Sequence, residues 1–371
     1  MIHFLYFFTL LSLYVSRRLL KIKKDRIGAA VACLILVLIM GGQRDNPDYI
    51  TYQQIFSGPF YSKDPGFGVI IQILKTLGFT VVNFRLGIAL IGLFLMSITV
   101  FRLVDNRVLF YLIYGIYPFL YDVVQARNFL VMSILVFSVQ FLIDPSFKHG
   151  RLYFIFAMLI AISIQKVAIA YVPFVLLTNT QILKSRKQML YLGIPVIVFL
   201  AAERGFVINL VTSIATSSDL TELNNYSTLN TRYGWLFFWA EQIFAYLLIV
   251  YANKIEQSDQ QIVALANESP IDAVKLKFVS FMLIVNTYSF VFLPLFILNQ
   301  NYTRIIRNLI PLNIIAVLIV CSRHQGELYL TKKRVILMAG LAVYQLVLLY
   351  MLFQGYQASI VDTTLNNNWL W

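Results

Sequence analysis

Charged side chains are scarce in this chain. Asp, Glu, Lys and Arg make up only 13% of its 371 residues, whereas 59% are hydrophobic and the mean hydropathy is +0.75. A soluble globular domain carries about 25% charged residues. Because the charged share is so low, most of the protein surface must face lipid, which excludes an ordinary soluble fold.

Cysteine and histidine are also rare. The two cysteines, Cys33 and Cys321, lie inside or at the end of apolar segments and form neither a disulfide framework nor a metal-site spacing. The histidines are His3 near the start of the chain, and His149 and His324 in loops assigned below to the cytoplasmic side. The sequence contains no Asp-x-Asp metal motif and no glycine-rich phosphate loop. Because of where the histidines lie, acid–base chemistry on the outer side of the membrane would use carboxylates. The missing motifs agree with a function that needs no metal and no cofactor.

What the sequence does contain is a series of long apolar runs. About 20 apolar residues cross about 30 Å of hydrocarbon, and they must be helical because backbone polar groups have no other partners in lipid. We predict an all-α polytopic integral membrane protein with one membrane domain, residues 1–371, and about twelve transmembrane helices, with eleven to fourteen possible. The predicted spans are about 2–20, 27–42, 81–103, 107–121, 124–143, 152–164, 166–180, 188–203, 235–252, 277–298, 305–321 and 335–353.

One apolar segment is too short to be a span. Segment 66–78, "GFGVIIQILKTLG", is interrupted by Lys75, and we predict that it is a re-entrant or interfacial element. About 20 of the 30 Lys and Arg residues then fall in cytoplasmic loops, as the positive-inside rule requires. Outer loops 43–65 and 204–234 and both termini face outward, and loop 253–276 faces the cytoplasm. This distribution accounts for the net charge of +13, so nucleic-acid binding is not expected.

Several basic residues nevertheless remain on the predicted outer side. Each could simply reach toward lipid headgroups, since long basic side chains snorkel to the interface. Together they indicate a site, because separate spans deliver arginine to the membrane face that the positive-inside rule would empty. Arginine stays charged and binds phosphate oxygens in a bidentate manner, which favours a lipid-linked phosphate or pyrophosphate as ligand. These residues are Arg44, Arg127, Lys166, Arg232, Arg304 and Arg307.

The segment "GGQRDNPDYITYQQIF", residues 41–56, places acidic and aromatic residues beside this basic set. Asp48 and Tyr52 are one helical turn apart and share a helix face. Asp48 is a candidate general base, because such a base must reach the hydroxyl that it deprotonates. The structural alternative for Asp48 is a helix N-cap or an ion pair with Arg44.

Five segments, in order, resemble the EpsG-like family of bacterial polysaccharide polymerases, within the broader Wzy-type group. The resemblance extends from residue 1 to about 322. In this chain Asn46-Pro47 replaces the family's usual Gly-Thr, and Gln165 replaces its usual histidine, so the side chain can hydrogen-bond a sugar or phosphate but cannot transfer a proton. The segments are "GQRDNPDYITYQQIF", "KDPGFGVIIQILKTLG", "VQARNFLVMSILVFS", "AISIQKVAIAYVPFVLL" and "NYTRIIRNLIPLNI".

The resemblance implies a GT-C-like glycosyltransferase in the bacterial cytoplasmic (inner) membrane, with its active site on the extracytoplasmic side. Its substrate would be an undecaprenyl-pyrophosphate-linked oligosaccharide, and a chain-length regulator is a possible partner. The product would be a capsular, exopolysaccharide or O-antigen chain. The predicted catalytic residues are Asp48, Arg44, Arg127 and Arg304, and the predicted substrate-binding residues are Tyr49, Tyr52, Gln165, Lys166, Arg232 and Arg307.

Two other functions use the same class of substrate. A flippase or other transporter for lipid-linked oligosaccharide usually shows internal repeats and ionisable groups near the membrane midplane. Here no repeat is visible, and the charges lie at span ends on one side. An O-antigen ligase-like glycosyltransferase is the other alternative.

Overall fold

The computed structural model describes residues 25–44, 47–58, 64–178, 234–258, 269–298, 300–323, 327–328 and 331–368. Predicted spans 2–20 and 188–203, and nearly all of the outer loop 204–234 with Arg232, lie outside the described residues. The described part is a bundle of helices, and its only strands are Ser322–Arg323 (β1) and Glu327–Leu328 (β2), which pair antiparallel.

Within the described residues up to 178, the chain forms eight α-helices and one long 3-10 helix. Pro65 opens the third helix at a position where a missing backbone N–H costs nothing, and the Asn106 side chain caps the fifth by accepting a bond from the Leu109 N–H at 3.3 Å. These helices are Asp25–Gly42 (α1), Tyr49–Ser57 (α2), Pro65–Thr76 (α3), Phe84–Leu103 (α4), Arg107–Ile116 (α5), Phe119–Val124 (α6), Ala126–Ile143 (α7), Gly150–Ile164 (α8) and the 3-10 helix Lys166–Val175.

The described residues from 234 onward form helices of very different lengths. Pro270 opens the helix Pro270–Tyr288, and the Thr331 hydroxyl caps the helix Lys332–Tyr356 by accepting from the Arg334 N–H at 3.5 Å. The helices are Gly234–Ser258 (α9), Pro270–Tyr288 (α10), Leu293–Leu298 (α11), Arg304–Arg307 (α12), Ile310–Cys321 (α13), Lys332–Tyr356 (α14) and Thr363–Asn366 (α15), with 3-10 helices at Ser289–Phe292 and Gln300–Thr303 and a π-helix at Gln357–Asp362.

Ten of the twelve predicted spans coincide with helices in the described residues. Six of these are long and apolar enough to cross a membrane, and four are shorter apolar helices. The multi-pass membrane character is therefore confirmed, whereas the count of twelve and the GT-C-like architecture stay predictions. The six are Phe84–Leu103, Ala126–Ile143, Gly234–Ser258, Pro270–Ile297, Gln300–Cys321 and Lys332–Asn366, and the four are Arg26–Gly42, Arg107–Ile116, Gly150–Ile164 and Lys166–Val175.

Two predicted spans are broken where their sequences contain a helix-ending feature. Predicted span 107–121 ends as a helix at Ile116, and a second short helix starts after Pro118 because proline has no N–H to continue the ladder. Predicted span 305–321 is divided at Asn308–Leu309, between α12 and α13. The two breaks lie near each other, because the Arg307 guanidinium, just before the second break, lies 4.4 Å from the centre of the Tyr121 ring, just after the first.

The most buried helices are α7 and α13. Every residue of α13 is buried, whereas α8, α9 and α14 expose large apolar side chains, as helices that face lipid do. Helix α4 approaches α7 closely at Gly92, where a Cβ would lie 2.2 Å from the Phe129 ring. The small residue at this position allows the two backbones to pack together.

The segment predicted as re-entrant or interfacial forms the 12-residue helix α3. Its first turn touches the end of α8, because a Cβ on Gly66 would lie 2.0 Å from the Ser163 hydroxyl oxygen. Its last turn touches the start of α4, where a Cβ on Gly87 would lie 2.4 Å from Leu74. Both ends of α3 therefore lie at one end of the bundle. We call this end, which contains α3, the start of α4 and the end of α8, the polar end.

Candidate active site

The polar end is organised by one corner of the chain, residues 122–128, where α6 stops at Val124 and α7 begins at Ala126. Gln125 between them is not helical, with φ −96° and ψ 62°. The last carbonyls of a helix have no intrahelical donor and need other partners. The corner therefore offers free backbone carbonyls and a set of polar side chains to the surrounding helices.

Arg85, from the first turn of α4, supplies donors to those carbonyls. Its Nη2 donates to the carbonyl oxygens of Val123 at 3.1 Å and Val124 at 3.3 Å, and its Nη1 donates to the side-chain oxygen of Gln43. The guanidinium is fully buried and lies 5.5 Å from the centre of the Tyr52 ring. Arg85 thus joins α1, α2 and α4 to the corner.

Arg127 lies in the first turn of α7 and connects the corner to α2 and α3. Its Nη1 forms an ion pair with Asp64 Oδ2 at 2.6 Å, and its backbone N–H points to the Tyr52 hydroxyl at 3.4 Å. Burial raises the pKa of Tyr52, and the charge of Asp48 raises it further. Tyr52 therefore remains a neutral phenol between Arg85 and Arg127.

Arg307, from α12, reaches the corner from the second half of the chain. Its Nη2 donates to the side-chain oxygen of Gln125, and its guanidinium lies 4.4 Å from the centre of the Tyr121 ring. Arg307 is only 6% exposed, and it forms no ion pair with any residue that the structure describes. Its Nε is buried and finds no acceptor among the same residues. A buried guanidinium with an unused donor is suited to bind an anion.

Two asparagines fix α12 and α13 against α7 next to this site. The Asn128 amide donates to the Asn308 oxygen at 2.8 Å, and the Asn308 amide donates back to the Asn128 oxygen at 3.0 Å. Both side chains are fully buried. The reciprocal pair sets the distance between the helix that carries Arg127 and the segment that carries Arg307.

We expect the single substitutions Asn128→Leu and Asn308→Leu each to lower the free energy of unfolding by about 1–3 kcal/mol, because each leaves one buried amide without partners. The double substitution should cost less than the two single effects together, since it removes both polar groups. Thermal unfolding of the detergent-purified protein measures all three variants. Strictly additive losses would show that the two amides do not act as a pair.

The structure places the other predicted residues at the polar end in different environments. Asp48 precedes α2 but makes no capping hydrogen bond, and its charge acts on Tyr52 and Arg85. Tyr49 is half-buried and also acts on Arg85, whereas Tyr52 is buried. The N-cap alternative for the Asp48 side chain is therefore not supported, and no Arg44–Asp48 ion pair forms between these two described residues.

Four predicted residues remain. Arg44 has an exposed side chain, and its backbone N–H donates to the Asn367 carbonyl at 2.7 Å, next to the Gln43 that holds Arg85. Arg304 lies one turn before Arg307 and donates to the Asn301 side chain at 3.4 Å. At the turn between α8 and the Lys166–Val175 helix, Gln165 is half-buried and Lys166 is exposed. The structure links Arg127 and Arg307 through the corner, and it shows no direct contact from Arg44, Gln165 or Lys166 to it among the described residues.

Sequence reasoning missed Arg85, whose guanidinium donates to three acceptors at this end. Arg85 lies within predicted span 81–103, and a charged residue at that position is costly in lipid unless it is satisfied by protein. The energetic cost of this charge within a span is the sequence feature that could have identified Arg85 as a functional or structural residue. Gln125 and Asn128 stand directly beside Arg127 in "VQARNFL", but nothing in the pattern shows that they bind residues about 180 positions later.

The described residues contain no group of three or more His, Cys, Asp or Glu side chains that could hold a metal ion. The arrangement at the polar end is instead a set of arginines, tyrosines and single carboxylates around one corner. Such a set can bind and orient an anionic, hydroxyl-rich ligand and move a proton between a hydroxyl and a carboxylate.

Comparison with known families agrees with the motifs. The model of the EpsG family matches residues 26–368, nearly the whole chain. Neither a curated protein nor a solved structure is similar enough to be matched to it. The match includes every segment on which the resemblance depended, and it also includes Arg85, Gln125 and the corner. The chain belongs to the EpsG family, the polysaccharide polymerase-like family that its sequence resembles.

Proposed function

We propose that this protein polymerises undecaprenyl-pyrophosphate-linked oligosaccharide repeat units by glycosyl transfer at the outer face of the cytoplasmic membrane. Its product is a capsular, exopolysaccharide or O-antigen chain. Membership of the EpsG family supports a polymerase-type function for a multi-pass membrane protein. The polar end supplies the residues for the lipid-linked substrate, and the positive-inside distribution of charge supports its outward orientation.

One observation carries this proposal: three arginines from three different helices meet at the same seven-residue corner. Arg85 donates to its carbonyls, Arg127 belongs to it, and Arg307 binds Gln125 within it. In a chain with 13% charged residues, such a concentration of guanidinium groups near a membrane surface requires a compensating ligand or function. A pyrophosphate carries the negative charge and the oxygens that guanidinium forks bind.

The proposed reaction forms one bond and breaks one bond. A hydroxyl of the acceptor repeat unit attacks the anomeric carbon of the donor chain, and the bond from that carbon to the pyrophosphate oxygen breaks. The leaving pyrophosphate keeps the electron pair, so fixed positive groups aimed at it lower the barrier. Arg307 and Arg127 hold the pyrophosphate, with Arg304 and Arg44 as further contacts from the same end.

The remaining residues bind the sugars and the acceptor. Asp48 and Tyr49, which interact electrostatically with Arg85, contact the sugars together with Tyr52, whose ring centre lies 5.5 Å from the Arg85 guanidinium. Gln165 and Lys166, at the turn after α8, contact hydroxyl or phosphate groups, and Arg232 adds a further contact from the outer loop. Arg127 is already paired with Asp64 at 2.6 Å, so phosphate binding shares or displaces that carboxylate. Holding donor and acceptor in one site supplies proximity and orientation.

The test is the substitution Arg127→Lys in a strain that lacks the chromosomal gene. We expect shorter or no polymer, because lysine keeps the charge but loses the planar fork. Arg102→Lys is the matched control, since both arginines are 29% exposed and both pair with an aspartate, Asp144 in the case of Arg102 at the opposite end. Glycan length is read on gels at equal protein levels. Wild-type chain lengths in the Arg127→Lys strain would remove this residue from the site.

The same deletion strain separates polymerase from flippase. Export of single repeat units without polymer indicates a missing polymerase. Lipid-linked units that accumulate on the cytoplasmic side indicate a missing transporter, and the proposal would then be wrong. Normal polymer that is not joined to its final acceptor indicates a ligase.

A further inference from the structure

A second carboxylate faces Arg307 from a helix that takes no part in the corner contacts. Glu241 lies in the second turn of α9, and electrostatic interaction links it to Arg307 and to the hydroxyls of Tyr117, Tyr121 and Tyr344. Hydrogen bonds from the residues on either side of Glu241 hold this part of α9 against the segment 286–293. The Trp239 Nε1 donates to the Leu293 carbonyl at 3.0 Å, and the Gln242 amide donates to the Asn286 carbonyl at 3.3 Å.

The acidic side chains at the polar end differ in whether protein groups already bind their carboxylate oxygens and in how exposed they are. Asp64 is paired with Arg127 at 2.6 Å. Asp122 accepts a hydrogen bond from the Tyr114 hydroxyl at 2.8 Å, and its other oxygen has no partner in the described residues, but the side chain is fully buried and closed to a ligand. Glu241 forms no ion pair with any residue in the described ranges. It is also only partly buried, so a ligand can reach it.

Two buried polar atoms that belong to residues interacting with Glu241 have no hydrogen-bond partner within the described residues. The Tyr344 hydroxyl interacts with the Glu241 carboxylate but has no hydrogen bond of normal geometry within the described residues, and the Arg307 Nε has no acceptor there. Buried polar atoms without partners are rare in folded proteins and often mark a bound water or ligand. Unused hydrogen-bonding capacity for a polar group that presents both a donor and an acceptor therefore remains at Tyr344 and Arg307, which both interact electrostatically with Glu241. A sugar hydroxyl is such a group.

We propose that Glu241 is the base that takes the proton from the acceptor hydroxyl, and that Tyr344 orients its carboxylate. This inference rests on the proposed polymerase function. The hydroxyl proton moves to the Glu241 carboxylate as the hydroxyl oxygen forms its bond to the anomeric carbon. The bond to pyrophosphate breaks with its electron pair on the leaving oxygen beside Arg307, and Glu241 then releases its proton to solvent. Asp48, which lies with Arg85 and Tyr52, contributes to binding and not to proton transfer.

The experiment uses the full chain in nanodiscs with an undecaprenyl-pyrophosphate-linked repeat unit as the only substrate. For Glu241→Gln we expect kcat to fall by about 100-fold or more with KM changed little, because the amide keeps the size but cannot accept a proton. Glu241→Asp, which keeps a carboxylate, should retain intermediate turnover. Asp48→Asn should raise KM and lower kcat much less than Glu241→Gln does.

Glu256→Gln is the matched control, because Glu256 is a buried glutamate on the same helix, about four turns further along. It should keep wild-type turnover. Equal kcat in Glu241→Gln and wild type would overturn the role of Glu241 and leave the polymerase function intact. Failure of the wild-type protein to lengthen the repeat unit would overturn the proposed function, and the inference with it. A kcat loss in Asp48→Asn that exceeds the loss in Glu241→Gln would assign the base to Asp48.

Discussion

Arg307→Lys is expected to reduce polymerisation by about 100-fold or more, which corresponds to the loss of one preorganised donor at a site of developing charge. Arg307 is buried, lies 4.4 Å from the Tyr121 ring and donates to Gln125, and its Nε has no acceptor in the described part of the chain. Lysine carries the same charge but cannot place two parallel donors on a phosphate or stack flat on a tyrosine. The effect should appear in kcat more than in KM, because the charge on pyrophosphate develops during bond breaking.

The matched control is Arg107→Lys at the opposite end of the bundle. The Arg107 guanidinium also donates to a neutral acceptor, the Phe101 carbonyl at 3.0 Å, and lies 5.3 Å from an aromatic ring centre, that of Phe101. Both substitutions remove a fork, a neutral-acceptor hydrogen bond and a stacking contact. Polymer length and yield in cells at equal protein levels compare them. Equal activity of the two variants would show that Arg307 has only a structural role.

Arg85→Leu is expected to lower the free energy of unfolding by about 3 kcal/mol or more. The substitution leaves three buried acceptors without a donor, namely the Gln43 side-chain oxygen and the carbonyls of Val123 and Val124. An unsatisfied buried polar group costs about 1–3 kcal/mol. Removal of the buried charge offsets part of this loss, since desolvating a guanidinium is itself costly. Arg85→Lys should fall between leucine and wild type, because it keeps a donor but not the fork.

Thermal unfolding in detergent measures these variants, with Arg151→Leu for comparison. The Arg151 side chain is exposed and donates to the Thr178 hydroxyl at 3.3 Å, so water replaces this contact and the expected cost is about 0.5 kcal/mol or less. A full-length chain that contains Arg85→Leu and unfolds at the wild-type temperature would show that the corner does not depend on this arginine.

The motifs of the chain indicated which nearby residues lie together at part of the polar end, because the motifs are local. Asp48, Tyr49 and Tyr52 follow α1 directly in one segment, and their shared helix face follows from a spacing of about one turn. Arg127 was recognisable as a charge at the start of an apolar span. Its ion pair with Asp64 was not, because the two residues are 63 positions apart and the carboxylate stands before a segment too short to be a span. The catalytic and binding roles of all these residues stay predictions.

The sequence by itself determined that this is a helical multi-pass membrane protein with polar residues at the ends of its spans, because hydrocarbon accepts only long apolar helices and penalises charge inside them. Only the tertiary structure decided which polar residues meet. The Arg85 bonds to Gln43, Val123 and Val124, and the Arg307 bond to Gln125, join positions 38 to 182 residues apart. Hydropathy and helical periodicity repeat over a few residues, so they carry no information about which helices become neighbours. Packing of α4, α7, α12 and α13 decides that, and it brings the arginines to one corner.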